Sequence, residues 1–230
     1  MTRIGILGGT LDPIHCGHLA AAAAARDAFA LSQVFVVPSH VPPHRPVQPV
    51  ASPFHRFAMA ALAVSGRAGL AVSDDELRAD GPSYTAETLD RWHARGYAAS
   101  QIFFITGADA FAEIATWRRY PGVLDLANFV VVSRPGHEID ALAGKLPALA
   151  PRIRSAAAPR GEERDTVIWL LQAATPDVSS TGVRERVRHG ESITGLVPPS
   201  VEAHILHHHL YSTFADRAAD NPADQLHGQN

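Results

Sequence analysis

Residues 8–18 read GGTLDPIHCGH and follow directly on the apolar stretch 3–7. A short apolar strand ended by Gly8-Gly9 and followed by an alanine-rich helical run at 19–29 is the first half of a strand–turn–helix unit. Glycines in such a turn let the backbone approach a ligand closely, and amides at the helix N-terminus can hold phosphate. His15 and His18 stand three apart, where an opening helix turn can aim both imidazoles at the same phosphates. The run is neither GxGxxG nor a Walker loop, because no Gly-Lys-Ser/Thr follows.

The same alternation continues along the chain. Further apolar strands are expected at 33–37, 70–73, 101–106, 129–133 and 166–171, and helices at 54–64, 85–95, 183–188 and 201–208. Ser52-Pro53 is a helix start and Gly96 a helix stop. The proline-dense segment 38–50 is a loop, and 141–164, rich in Ala, Pro and Arg, carries no clear pattern. Continuously apolar strands alternating with helices indicate a doubly wound α/β fold with a mostly parallel sheet, a Rossmann-like arrangement with ligands at the carboxyl ends of the strands. We expect one domain over residues 1–211, with a helical C-terminal part at about 181–211, and a flexible polar tail at 212–230.

Composition narrows the function classes. The 230 residues carry a net charge of −3, so no global basic field draws nucleic acid. The longest apolar run, 19–25, is too short to span a bilayer, and no signal segment opens the chain. Cys16 is the single cysteine, which excludes an internal disulfide and fits a reducing cytoplasm; it reads as a small residue in the turn and not as a nucleophile.

His15-Cys16-Gly17-His18 resembles the T/H-x-G-H core of the nucleotidyltransferase superfamily. Within it, six stretches in order over residues 4–211 resemble bacterial nicotinate-nucleotide adenylyltransferases: GGTLDPIHCGH, PPHR at 42–45, GPSYTAETL at 81–89, FITGADAF at 104–111 followed by Trp117, SSTGVRERV at 179–187 and LVPPSVEAHILHHHLY at 196–211. Two positions depart from the family pattern: Leu11 stands for the usual phenylalanine and Arg45 for the usual lysine. Arg45 keeps the charge but replaces a compact ammonium with a planar fork.

The resemblance implies adenylyl transfer from ATP to nicotinic acid mononucleotide, giving deamido-NAD and pyrophosphate. Gly8, Gly9 and Thr10 would line the ATP phosphates, with His15, His18, Arg45 and Arg184 as catalytic groups. Ser180 and Thr181 would cap the next helix and meet phosphate oxygens, Gly107 and Asp109 would take the ribose side, and Arg134 would border the adenosine. His44, Ser83, Tyr84, Thr85 and Trp117 would hold the mononucleotide, the serine–threonine loop receiving the pyridine carboxylate and the indole lying against the ring. Mg²⁺ would ride mainly on the phosphates, since the chain shows no carboxylate cluster.

Asp12 either orients the loop or holds that ion through water, and Glu76 and Arg78 read as a structural pair. Adjacent helix positions do not face one another, so His207-His208-His209 is not a metal site, and no residue is assigned as a metal ligand. Other readings are a nicotinamide mononucleotide or dual-specificity enzyme and a non-catalytic nucleotide sensor; a pantetheine-phosphate transferase leaves GPSYTAETL and the Trp117 segment unexplained. No nucleic acid, membrane or protein partner is implied, and the oligomeric state is not legible.

Overall fold

The computed structural model describes residues 2–43, 49–133, 144–157 and 165–212. Seven strands form one parallel sheet: β1 (Ile4–Gly9), β2 (Gln33–Pro38), β3 (Leu70–Val72), β4 (Ile102–Gly107), β5 (Asn128–Val132), β6 (Ile153–Ser155) and β7 (Ile168–Leu171), in the spatial order β3-β2-β1-β4-β5-β7-β6. The helices are α1 (Cys16–Phe29), α2 (Pro53–Val64), α3 (Thr85–Ala94), α4 (Ala108–Ala112), α5 (Ser180–Arg188) and α6 (Pro199–His207). The doubly wound reading therefore holds, and every described strand pairing is parallel.

Side-chain alternation along the strands builds two cores. In β1, Leu7 faces one cluster with residues of α1, α2 and α6, while Ile4 and Ile6 face the other with residues of α3 and α4. In β4, Phe103 and Ile105 join the first cluster and Ile102 and Phe104 the second. Helix α1 turns Leu19, Ala22, Ala25 and Phe29 inward, a helical stripe whose alanines admit the helix close to the sheet. Phe29 closes the stripe against Phe103 and Trp169, with centroids 5.1 and 5.5 Å away; burying it contributes about 1.5–3 kcal/mol.

The connection from β1 leads to β2 on one side, while β4 lies on the other. The strand order reverses at β1 and β4, which opens a crevice at their carboxyl ends. Both GGT at the end of β1 and TGAD at the end of β4 fall there.

Two elements differ from expectation. Strand β6 comes from the 141–164 segment, where the sequence showed no pattern: it has three residues, lies at the sheet edge and keeps Arg154 and Ser155 exposed. Helix α1 begins at Cys16, not at His18, because His15 is extended (φ −140°, ψ 172°) and serves as the N-cap. Ser212 is the last described residue, so the proposed tail lies outside the described residues apart from it.

The C-terminal part reaches back to the first loop. Tyr211 is buried and its hydroxyl donates to Asp12 Oδ1 at 2.8 Å; burial first, then the Asp12 charge, hold the phenol far above its usual range, so it remains a donor. Tyr211→Phe removes this bond to a buried carboxylate and is expected to lower the unfolding free energy by about 1.5–3 kcal/mol. Urea denaturation of the variant beside the parent measures it, and superimposable curves would mean that the bond contributes nothing.

Candidate active site

The loop after β1 is held from three sides. Leu11 sits in the left-handed region (φ 52°) although it is not glycine, and it is buried. Asp12 keeps the loop in place: Oδ2 accepts from the Val50 amide at 2.8 Å, and Oδ1 from the Ala51 amide at 3.1 Å as well as from Tyr211. Arg56, fully buried in α2, donates to the carbonyls of Thr10 (2.7 Å), His40 (3.0 Å) and Ala51 (3.3 Å). Burial lowers its pKa, and the Asp12 carboxylate opposes that shift. From α5, Ser180 Oγ donates to the Pro13 carbonyl at 2.9 Å and Arg184 Nη1 to the Asp12 carbonyl at 2.6 Å. Of the two roles open to Asp12, orienting the loop is the one the geometry realises; both carboxylate oxygens are taken by protein donors.

His15 and His18 stack with ring centroids 3.7 Å apart and planes at 25°. The His15 amide donates to His18 Nδ1 at 3.2 Å, which leaves His18 Nε2 as the proton-bearing nitrogen of the neutral ring. Gly17 gives this pair room: a Cβ there would lie 3.1 Å from both Cε1 and Nδ1 of His15 and 3.3 Å from the Val178 side chain. Both imidazoles line a cavity of about 170 Å³ with Gly17, Thr106, Gly107, Ser133 and the segment 175–179. It occupies the crevice between β1 and β4.

A second cavity of about 290 Å³ lies beside it, lined by Gly8, Gly9, Thr10, Glu76, Ser83, Tyr84, Thr85, Trp117 and Arg118 among others. Thr106 lines both cavities and marks where they adjoin. Trp117 forms a wall, edge-on to Phe104 (6.0 Å, 85°) and Phe129 (6.3 Å, 61°). The Arg118 guanidinium covers the Tyr84 ring at 4.6 Å and pairs with Glu87 at 3.3 Å. Gly8, Gly9 and Thr10, expected on the ATP side, line this second cavity instead. A Cβ at Gly8 would lie 3.1 Å from Phe104 Cζ, so the glycine leaves room for the aromatic wall.

Two sequence expectations need correction. Glu76 does not pair with Arg78, which binds Asp74 at 2.6 Å; the buried Glu76 carboxylate accepts from Thr88 Oγ1 at 2.6 Å and from Ser83. Burial raises the Glu76 pKa, against those hydrogen bonds and the Arg91 charge. The Ser83 hydroxyl also accepts from the His40 amide at 2.8 Å, so it braces the 40–41 segment as well as lining the cavity. The cap of α5 is Ser179, whose Oγ accepts from the Gly182 amide at 3.1 Å, not Ser180 or Thr181; Thr181 Oγ1 accepts from Arg184 Nη2.

Asp109 is exposed in the first turn of the short α4 and lines neither cavity. His44, Arg45 and Arg134 lie outside the described residues. Sequence reading missed Thr106, Glu76 and Arg118 as cavity residues. Thr106 carried a signal, as the last polar residue of an apolar strand; Glu76 and Arg118 carried none.

The cytidylyltransferase-like family model matches residues 6–186. A Desulfatibacillum aliphaticivorans protein named "Probable nicotinate-nucleotide adenylyltransferase" is 39% identical over 217 residues, covering 91% of this chain and 99% of that protein. A Roseiflexus protein of the same name is 42% identical over 210 residues, covering 90% and 97%. Among solved structures, the nicotinic acid mononucleotide adenylyltransferase of Plasmodium falciparum complexed with NaAD superimposes with a TM-score of 0.69 at 16% identity, over 92% of this chain and 98% of that one, and so shares the fold. Among the described residues no helix is long and apolar enough to cross a membrane. With near-40% identity over nine-tenths of its length, the chain belongs to the nicotinate-nucleotide adenylyltransferase family.

Proposed function

We propose that the protein transfers the adenylyl group of ATP to nicotinic acid mononucleotide, giving deamido-NAD and pyrophosphate. The observation that supports this most is the pair of cavities adjoining at Thr106, with His15 and His18 lining one of them. ATP occupies the cavity of His18, Gly107 and Ser133, and the mononucleotide that of Ser83–Thr85 and Trp117. An oxygen of the mononucleotide 5′-phosphate attacks the α-phosphorus of ATP in line; that P–O bond forms as the bond to the β-phosphate bridging oxygen breaks, and pyrophosphate leaves with the electron pair.

No protein nucleophile is needed. The chain supplies orientation and fixed donors: His18 Nε2–H, the His15 imidazole and, with Arg45, the Arg184 guanidinium neutralise charge that builds on the α-phosphate and the departing group. Arg184 is already docked on the same loop through the Asp12 carbonyl. Gly107, Asp109, Arg134, Ser180 and Thr181 remain assigned to the ATP side and His44 to the mononucleotide.

Among the described residues, no three carboxylate or imidazole ligands converge on either cavity, and Asp12 is occupied by amide and hydroxyl donors. Mg²⁺ carried mainly by phosphate and water oxygens belongs to the same proposal, and when bound it would lower the negative charge the two substrates bring together. A cytoplasmic location belongs to the same proposal, on the ground of the single cysteine.

Pyrophosphate release is measured with ATP and Mg²⁺ and either the acid or the amide mononucleotide. The acid is expected to exceed the amide by about 100-fold or more in kcat/KM, as polar groups built for a carboxylate are left poorly matched by an amide. Comparable rates would replace the reading with a dual-specificity enzyme. No release from folded protein that binds ATP would make it a sensor.

A further inference from the structure

Helices α2 and α6 pack on the same face of the sheet: Met59, Ala60 and Ala63 share a core cluster with Val201 and Ile205, and Ser200 Oγ donates to the Leu62 carbonyl at 3.2 Å. Three histidines meet along this seam. His55 lies in the first turn of α2; His204 and His208 stand four apart at the end of α6, on one side of the helix. His55 Nδ1 is 3.1 Å from His204 Nε2, and the ring centroids are 5.3 Å (55–204), 4.9 Å (55–208) and 4.4 Å (204–208) apart. One ring nitrogen from each of the three lies within 4.8 Å of the others. None of the three lines either nucleotide cavity.

We propose that His55, His204 and His208 bind a divalent transition-metal ion of the Zn²⁺ type and clamp α6 to α2. Tetrahedral Zn²⁺ with Zn–N bonds of about 2.0–2.1 Å sets its ligand nitrogens roughly 3.3 Å apart, so small side-chain rotations bring this trio into register. Three imidazoles select Zn²⁺, Ni²⁺ or Cu²⁺ over the oxygen-seeking Mg²⁺ that accompanies ATP. His208 is exposed, which leaves the fourth coordination position to water.

Coordination takes each imidazole in its neutral form: the ring of the His55–His204 pair that donates the hydrogen bond shifts its proton to the far nitrogen, and both facing nitrogens then coordinate. The clamp acts where the loop is anchored. His55 precedes Arg56, which holds the Thr10 carbonyl, and His208 lies three residues before Tyr211, which holds Asp12.

The test uses the full chain, free of any histidine tag and stripped with chelator, titrated with Zn²⁺ against a chromophoric chelator and with Co²⁺ by visible absorption. One equivalent is expected to bind, with a tetrahedral Co²⁺ spectrum, and Zn²⁺ at about 100 times Kd should raise Tm by about 5 °C or more. Mg²⁺ at the same concentration should do neither. His204→Ala and His208→Ala should each weaken Zn²⁺ binding by at least about 10-fold, and His207→Ala should not. All three positions are at the surface of α6, and circular dichroism of each variant checks that it folds; His55→Ala, on the other helix, repeats the test from α2. No bound Zn²⁺, or binding that survives in His55→Ala, His204→Ala and His208→Ala alike and so belongs elsewhere, for example to His15 and His18, would overturn the proposal.

Discussion

His18→Ala is expected to lower kcat for pyrophosphate release by about 100- to 1,000-fold, the usual cost of removing one fixed donor from a developing anion. The imidazole is placed by the backbone itself: Nδ1 accepts from the His15 amide, and the stack on His15 sets the ring plane. Nε2 is then the nitrogen that carries the proton of the neutral ring, on a side chain that lines the cavity. The substitution also removes the partner of the His15 amide at the head of α1, so a stability loss of about 1 kcal/mol accompanies it. KM for ATP should change far less than kcat, because the contact strengthens as charge builds. Turnover equal to that of the parent, in protein of unchanged circular dichroism, would remove His18 from the mechanism.

Arg56→Met should produce the largest loss of stability, about 3–5 kcal/mol, seen as a fall in Tm of about 6 °C or more. The guanidinium is fully buried and serves three carbonyls on separate segments, those of Thr10, His40 and Ala51. A methionine of similar length fills the space and serves none of them, and Asp12 loses a nearby positive charge. Arg56→Lys should recover only part of the loss, since one ammonium cannot reproduce the spread of a planar fork. A Tm for Arg56→Met within 2 °C of the parent would mean that the loop is held by other contacts. The Thr10 carbonyl that Arg56 grips lies five residues before His15, so turnover is expected to fall with the anchor.

Much of this was legible in the chain. Six of the seven strands are apolar runs, five of them bounded on at least one side by Gly, Pro or Ser, and burial on both faces is what removes polar residues from them. The pairing of His15 and His18 was legible because they fall in one local turn, where three-residue spacing and a glycine decide the geometry. Strand β6 was not, because an edge strand of three residues with Arg154 at its centre carries no apolar signature. Ser179, Ser180 and Thr181 are all competent caps, and which one caps depends on where the backbone turns. Nothing local in the sequence marks Arg56; only the fold brings three carbonyls to it. The i,i+4 spacing of His204 and His208 is visible in the sequence, but their partner His55 lies 149 positions from His204, and only the packing of α2 on α6 unites them.

The most direct test of the central claim, two substrate cavities adjoining over the histidine pair, is a crystal structure with deamido-NAD bound. The adenosine is expected in the cavity of His18, Gly107 and Ser133, the pyridine ring against Trp117 beside Ser83–Thr85, and the bridging phosphates passing Thr106 within hydrogen-bonding distance of His18 Nε2. A dinucleotide bound in the opposite sense, or with its phosphates out of reach of both histidines, would contradict that claim.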